Sequence, residues 1–116
     1  MLFLCYPKCT TCQKAKAWLD LHQISYTLRD IKADRPSEEE LRTWQAASGL
    51  ELRRFFNTSG LQYKALSLKD RLPGMELDAQ FALLASDGML VRRPILVSGQ
   101  TVLVGFRESE WEKALL

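Results

Sequence analysis

Two cysteines three residues apart, Cys9 and Cys12, sit where a short apolar stretch gives way to a helix-forming segment, in the run Leu2-Phe3-Leu4-Cys5-Tyr6-Pro7-Lys8-Cys9-Thr10-Thr11-Cys12-Gln13-Lys14-Ala15-Lys16. One thiol at the mouth of a helix and another a turn inside can close a small disulfide ring. The unpaired N–H groups and dipole of the helix start stabilise a thiolate at the first position, and Lys8 adds a neighbouring positive charge. This spacing suits redox or nucleophilic chemistry, with Cys9 attacking as the thiolate and Cys12 resolving the mixed intermediate as a Cys9–Cys12 disulfide. A zinc half-site and a chance pair of buried thiols are the alternatives. Zinc takes about four ligands, and the other candidates, Cys5 and His22, are not suitably spaced. A C-x-x-C motif beside a strand–helix pattern favours the redox reading. Cys5, on the preceding strand, is expected to be an inert core thiol, and His22 a favourable residue at the end of a helix.

The elements that must hold this pair can be read from the pattern around it. Leu2 to Tyr6 reads as a short buried strand stopped by Pro7. A helix is predicted from about Thr10 to His22, with Ala15, Leu19 and Trp18 facing the sheet. Ile24 to Ile31 alternates with period two, predicting a second strand with one face buried. Strand, helix and strand in some thirty residues make a βαβ unit with parallel strands and a right-handed crossover. Ser37 and Glu40 form a capping-box pattern that opens a helix carrying Leu41, Trp44 and Ala47 inward and ending at Gly49. From there to about Leu90 the pattern stays helical but broken, with Leu77, Phe81 and Leu84 at helical spacing. Pro94 to Val97 and Thr101 to Val104 read as an antiparallel hairpin around Ser98-Gly99-Gln100, and Glu108 to Leu116 as a last helix with Trp111 and Leu115 inward. The fold class is therefore α/β, in the order β-α-β, an all-helical insertion at about 37–90, then β-β-α, within one domain spanning 1–116.

Bulk properties narrow the function classes. A chain of 116 residues, 47% hydrophobic and 26% charged, is ordinary for a single globular domain. Its net charge of +2 and scattered basic residues give no stripe that would follow a nucleic-acid backbone. No apolar run approaches the ~20 residues of a membrane span, and the amino terminus does not read as a signal peptide. Three cysteines, two of them in C-x-x-C, do not make a secreted disulfide framework. A cytoplasmic monomer is expected.

Three stretches together resemble the family of glutaredoxin-coupled arsenate reductases and Spx transcription regulators, within the thioredoxin-like superfamily. They are Tyr6-Pro7-Lys8-Cys9-Thr10-Thr11-Cys12 leading to Lys16-Ala17-Trp18-Leu19, then Val91-Arg92-Arg93-Pro94-Ile95-Leu96-Val97, and finally Leu103-Val104-Gly105-Phe106. With length and element order, the resemblance covers essentially the whole chain. It implies a thioredoxin-like fold in which Pro94 opens the third strand in the cis form beside the active cysteine. The alternative for Pro94 is simply the start of an edge strand. Arg93 is implied to lie near the Cys9 sulfur, holding an anion bidentately or stabilising the thiolate, whereas Arg92 reads as a solvated surface residue.

Departures from the pattern separate the branches of this family. The reductases resemble one another in three arginines around the cysteine, of which only Arg93 aligns here. Asn57 stands at the second position and Gly105-Phe106 at the third, with Arg107 one or two positions late. Cys12, which the reductases generally lack, brings the chain nearer to the Spx-like C-x-x-C branch. The implied activity is thiol–disulfide exchange by Cys9, Cys12 and Arg93, with Lys8 and Pro94 positioning the substrate. No metal or organic cofactor is implied. Glutathione with glutaredoxin, or thioredoxin, would restore the pair. The alternative is a redox-sensing regulator binding the C-terminal domain of the RNA polymerase α-subunit, for which Gly49 falls where Spx proteins have a docking glycine. Arsenate reduction is the third and weakest expectation.

Overall fold

A computed structural model describes all 116 residues. A four-stranded sheet is built from β1 (Leu2–Cys5), β2 (Thr27–Asp30), β3 (Ile95–Ser98) and β4 (Thr101–Val104), in the order β2-β1-β3-β4. β1 and β2 run parallel, joined by α1 (Thr10–Leu21), while β3 is antiparallel to both β1 and β4. Between β2 and β3 lie α2 (Glu38–Ser48), α3 (Leu61–Ala65), α4 (Leu68–Arg71) and α5 (Leu77–Ser86), linked by 3-10 turns, and α6 (Glu108–Leu115) ends the fold. This is the thioredoxin-like order with the all-helical insertion that the sequence implies.

Alternation along β1 divides the interior into two cores. Phe3 and Cys5 face α1 and α6, packing with Cys12, Ala15, Trp18, Leu19, Leu96 and Trp111. Leu4 faces the other way, into a larger core with Ile95, Val102 and the insertion's Leu41, Trp44, Phe55, Phe81 and Leu84. The insertion is thus one layer of the domain and covers a whole face of the sheet. It passes tightly against the end of β2 at Gly88, where a Cβ would lie 1.8 Å from the Ile31 carbonyl oxygen, so only glycine fits.

Local signals set several boundaries. Ser37 accepts from the Glu40 N–H at 3.1 Å while the Glu40 carboxylate accepts from the Ser37 N–H at 3.0 Å, completing the capping box. Gly49 ends α2 at φ 70°, the left-handed cap expected of it. α1 ends at Leu21 with His22 as its cap. Three expectations are corrected. β2 is an edge strand of four residues rather than eight, and Leu28 is left 51% exposed at that edge of the sheet. Leu77 opens α5 but is 61% exposed, leaving Phe81 and Leu84 to pack. The hairpin turn has two residues, since Ser98 pairs with Thr101, and Gly99 takes the positive φ (58°) that such a turn demands.

Candidate active site

Cys9 is the N-cap of α1. Its amide donates to the Tyr6 carbonyl at 2.9 Å, and its own carbonyl accepts from the Gln13 amide at 3.0 Å, so the Pro7-Lys8 turn delivers the chain directly into the helix. The thiol is half-buried, and Cys12, one turn deeper, is only 1% exposed. The Tyr6 N–H donates to Cys12 Sγ at 3.3 Å, holding the inner sulfur against the end of β1.

The two thiols have opposite acidities. Burial alone would raise Cys9, but the Cys12 and Thr11 N–H groups, the Cys12 thiol and the Arg93 side chain together bring it below the ordinary thiol range. Burial pushes Cys12 up to about 12, and the neighbouring Cys9 charge adds to the rise. Cys5 is also raised, first by burial and then by the Asp30 charge. Cys9 is therefore the most acidic of the three thiols.

Arg93 reaches this site from the strand side. Its Nη1 donates to the Met89 carbonyl at 3.3 Å, and its guanidinium lies 5.3 Å from the centre of the Tyr6 ring. Its Nε is buried without a hydrogen-bond partner. The Arg93–Pro94 peptide is cis, and the Pro94 carbonyl accepts from the Gly105 N–H at 2.8 Å. Pro94 is buried and forms no part of the cavity wall. Lys8 is exposed and lies off the cavity, and Arg93 is a cation among the main groups that lower Cys9.

Above Cys9 opens a cavity of about 810 Å³. Its walls include the Asn57–Gln62 segment on one side and Arg92, Arg93, Gly105, Phe106 and Arg107 on the other. The walls are tied together: the Arg92 N–H donates to the Phe55 carbonyl at 2.7 Å, and the Asn57 N–H to the Leu90 carbonyl at 2.7 Å. Two further arginines enter here. Arg92 is half-buried in the cavity wall rather than solvated, and Arg107 lines the same space despite its late position in the chain. Three arginines therefore line the cavity with Cys9, and Asn57 lines it as well. For Arg92 the signal lay elsewhere in the sequence, in the side-chain-free Gly105 that leaves room for it.

Comparisons with known proteins agree with this architecture. Residues 4–114 match the model of the ArsC family. YusI of Bacillus subtilis (strain 168), an uncharacterised protein, is 48% identical over 113 residues, covering 97% of this chain and 96% of its own. The global transcriptional regulator Spx of Staphylococcus haemolyticus (strain JCSC1435) is 32% identical over 110 residues, covering 94% of this chain and 82% of its own. The crystal structure of an ArsC family related protein from Bacteroides fragilis superposes with a TM-score of 0.94 at 54% identity, covering 97% of this chain and 94% of its own. The chain belongs to the ArsC family.

Proposed function

We propose that this protein is a cytoplasmic thiol–disulfide oxidoreductase acting on substrates that carry negative charge near the reacting sulfur. The Cys9 thiolate attacks a substrate disulfide, forming a Cys9–substrate bond and expelling the other half as a thiolate. Cys12 then loses its proton and attacks Cys9 Sγ, releasing the substrate thiol and leaving a Cys9–Cys12 disulfide. An external thiol, glutathione with glutaredoxin or thioredoxin, returns two electrons to the pair. No metal or organic cofactor enters the cycle. Sequential attack follows from the acidities: while Cys9 is anionic its charge helps to hold Cys12 protonated, and that contribution vanishes once Cys9 is bonded to substrate.

The observation that carries this reading is the pairing of an acidified Cys9 at the cavity floor with an adjacent buried Cys12. Arg92, Arg93 and Arg107 supply the recognition of anionic groups. The cavity lies within the usual small-ligand range of roughly 300–1,000 Å³ and is far larger than a tetrahedral oxyanion needs, which favours an organic thiol or disulfide over arsenate. The test is turnover of a low-molecular-weight mixed disulfide with glutathione, alongside arsenate with glutathione and glutaredoxin. Disulfide turnover abolished in Cys9→Ser, with arsenate turnover far lower, supports the reading. Arsenate turnover exceeding disulfide turnover rejects it.

A regulatory role is the second reading, favoured by the similarity to Spx and by Gly49, exposed at the end of α2 with nothing within 4 Å of a Cβ placed there. Capture of the protein by the C-terminal domain of the RNA polymerase α-subunit, changing on oxidation and accompanied by no turnover, would favour it over the enzyme.

A further inference from the structure

Cys5 is the thiol that the proposed cycle leaves idle. It closes β1 at 4% exposure, with its side chain in the core shared by Cys12, Ala15 and Trp18. The Tyr6 N–H, in the peptide that leaves Cys5, donates to Cys12 Sγ at 3.3 Å, so the inner sulfur of α1 sits over that peptide. Cys5 and Cys12 belong to one buried cluster, and Cys9 packs against it from the cavity side. The three sulfurs do not gather into a metal-binding group. Cys9 lines the cavity, and Cys12 and Cys5 lie buried behind it at 1% and 4% exposure.

We propose that Cys5 is a third redox thiol, which takes over the disulfide from the Cys9–Cys12 pair and returns Cys9 to the cavity as a free nucleophile. This rests on the reading of Cys9 and Cys12 as a redox pair. In the step, Cys5 gives its proton to water and its sulfur attacks Cys12 Sγ. The Cys5–Cys12 bond forms, the Cys9–Cys12 bond breaks, and the electron pair leaves on Cys9 as a thiolate. Cys5 is oxidised and Cys9 reduced, so no outside oxidant or reductant is consumed.

The direction of transfer follows from the leaving group. Thiols of low pKa leave disulfides fastest, and the helix-start N–H groups and Arg93 that acidify Cys9 hold the charge that is released. Burial keeps Cys5 protonated, which makes the transfer slow and sets it after Cys9–Cys12 closure. The result is an oxidised protein that still presents a nucleophile, able to engage a second sulfur compound while the first disulfide is stored in the core.

The sequence makes the test direct. Trypsin cuts after Lys8, so a Cys9–Cys12 disulfide stays within the Cys9–Lys14 peptide, whereas a Cys5–Cys12 disulfide links that peptide to Met1–Lys8. The full chain is oxidised with one equivalent of diamide, quenched with acid at successive times, alkylated with N-ethylmaleimide and mapped. The intrapeptide disulfide should form first and the linked pair of peptides later. Cys9 alkylation in the oxidised protein should then be at least about tenfold faster than in oxidised Cys5→Ala. The time course of the unmodified protein needs no variant, so poor folding of Cys5→Ala leaves the test intact. A Cys9–Cys12 disulfide that persists with Cys5 free overturns this proposal alone. The absence of any intramolecular disulfide overturns both it and the redox-pair reading.

Discussion

The Arg92 guanidinium packs against the Cα of Gly105, so closely that a Cβ there would lie 2.9 Å from Nε. Gly105 also holds φ at 77°, a backbone region that side chains disfavour. Its own N–H donates to the Pro94 carbonyl, and its carbonyl accepts from Trp111 Nε1 at 3.1 Å. One glycine therefore joins the Arg-Arg-Pro segment to the last helix while leaving room for an arginine in the cavity wall.

Gly105→Ala should displace Arg92 and strain the backbone. Stability to urea is expected to fall by about 1–2 kcal/mol, and KM for an anionic disulfide to rise. The pH profile of Cys9 alkylation should stay unchanged, since Arg92 is not among the groups that acidify Cys9.

Cys9 should be alkylated much faster than Cys5 or Cys12 at neutral pH, with the midpoint of its rate–pH curve below that of an ordinary thiol. Cys12, held near 12, and Cys5, also raised, should label slowly in the folded protein. Peptide-resolved mass spectrometry reads all three rates. Equal labelling would show that α1 confers no acidity on its first residue.

Arg93→Ala should raise the Cys9 pKa and slow mixed-disulfide formation, because it removes a cation that interacts with the thiolate. Arg92→Ala should leave that pKa in place and appear only in the binding of anionic substrates. Identical titration curves for the two variants would mean that Arg93 acts solely as part of the anion-binding wall.

Acid should loosen the join between β2 and α2. Arg29 contacts Glu40 at 2.6 and 2.9 Å and holds its carboxyl at about 2. The depressed acid contributes fully above its ordinary pKa near 4.5, and the contribution is lost as pH falls from there toward 2. Glu40 is partly exposed, so about 1–2 kcal/mol of stability is expected in that window. Glu40→Gln should flatten the acid limb of a stability–pH curve; an unchanged limb would assign acid sensitivity elsewhere.

Signals that act over a few residues were legible in the sequence. The Ser37–Glu40 capping box, the Gly49 cap and the C-x-x-C at a helix start each depend on atoms within one turn, and each appears as read. Periodicity was a weaker guide where tertiary cover decides burial: Leu28 and Leu77 have the right spacing but remain more than half exposed. The cavity itself was hardest to foresee. Arg92 and Arg107 converge on it only because the insertion docks through Phe56 and Val91 and α6 returns past Gly105, contacts between distant parts of the chain. Cys9 and Arg93 carried their own motifs, whereas the cations completing the wall did not.

The aromatic stack behind the cavity gives the protein an optical gauge of its own state. Phe106 lines the cavity and meets the Trp111 ring at 4.9 Å, and Trp111 lies 6.0 Å from Trp18, which shares a core with Cys5 and Cys12. A disulfide is a strong quencher of nearby indole emission, so a bond closed or moved among these sulfurs should change the tryptophan signal without any added dye. Trp44, across the sheet in the other core, supplies a steady background against which that change is seen.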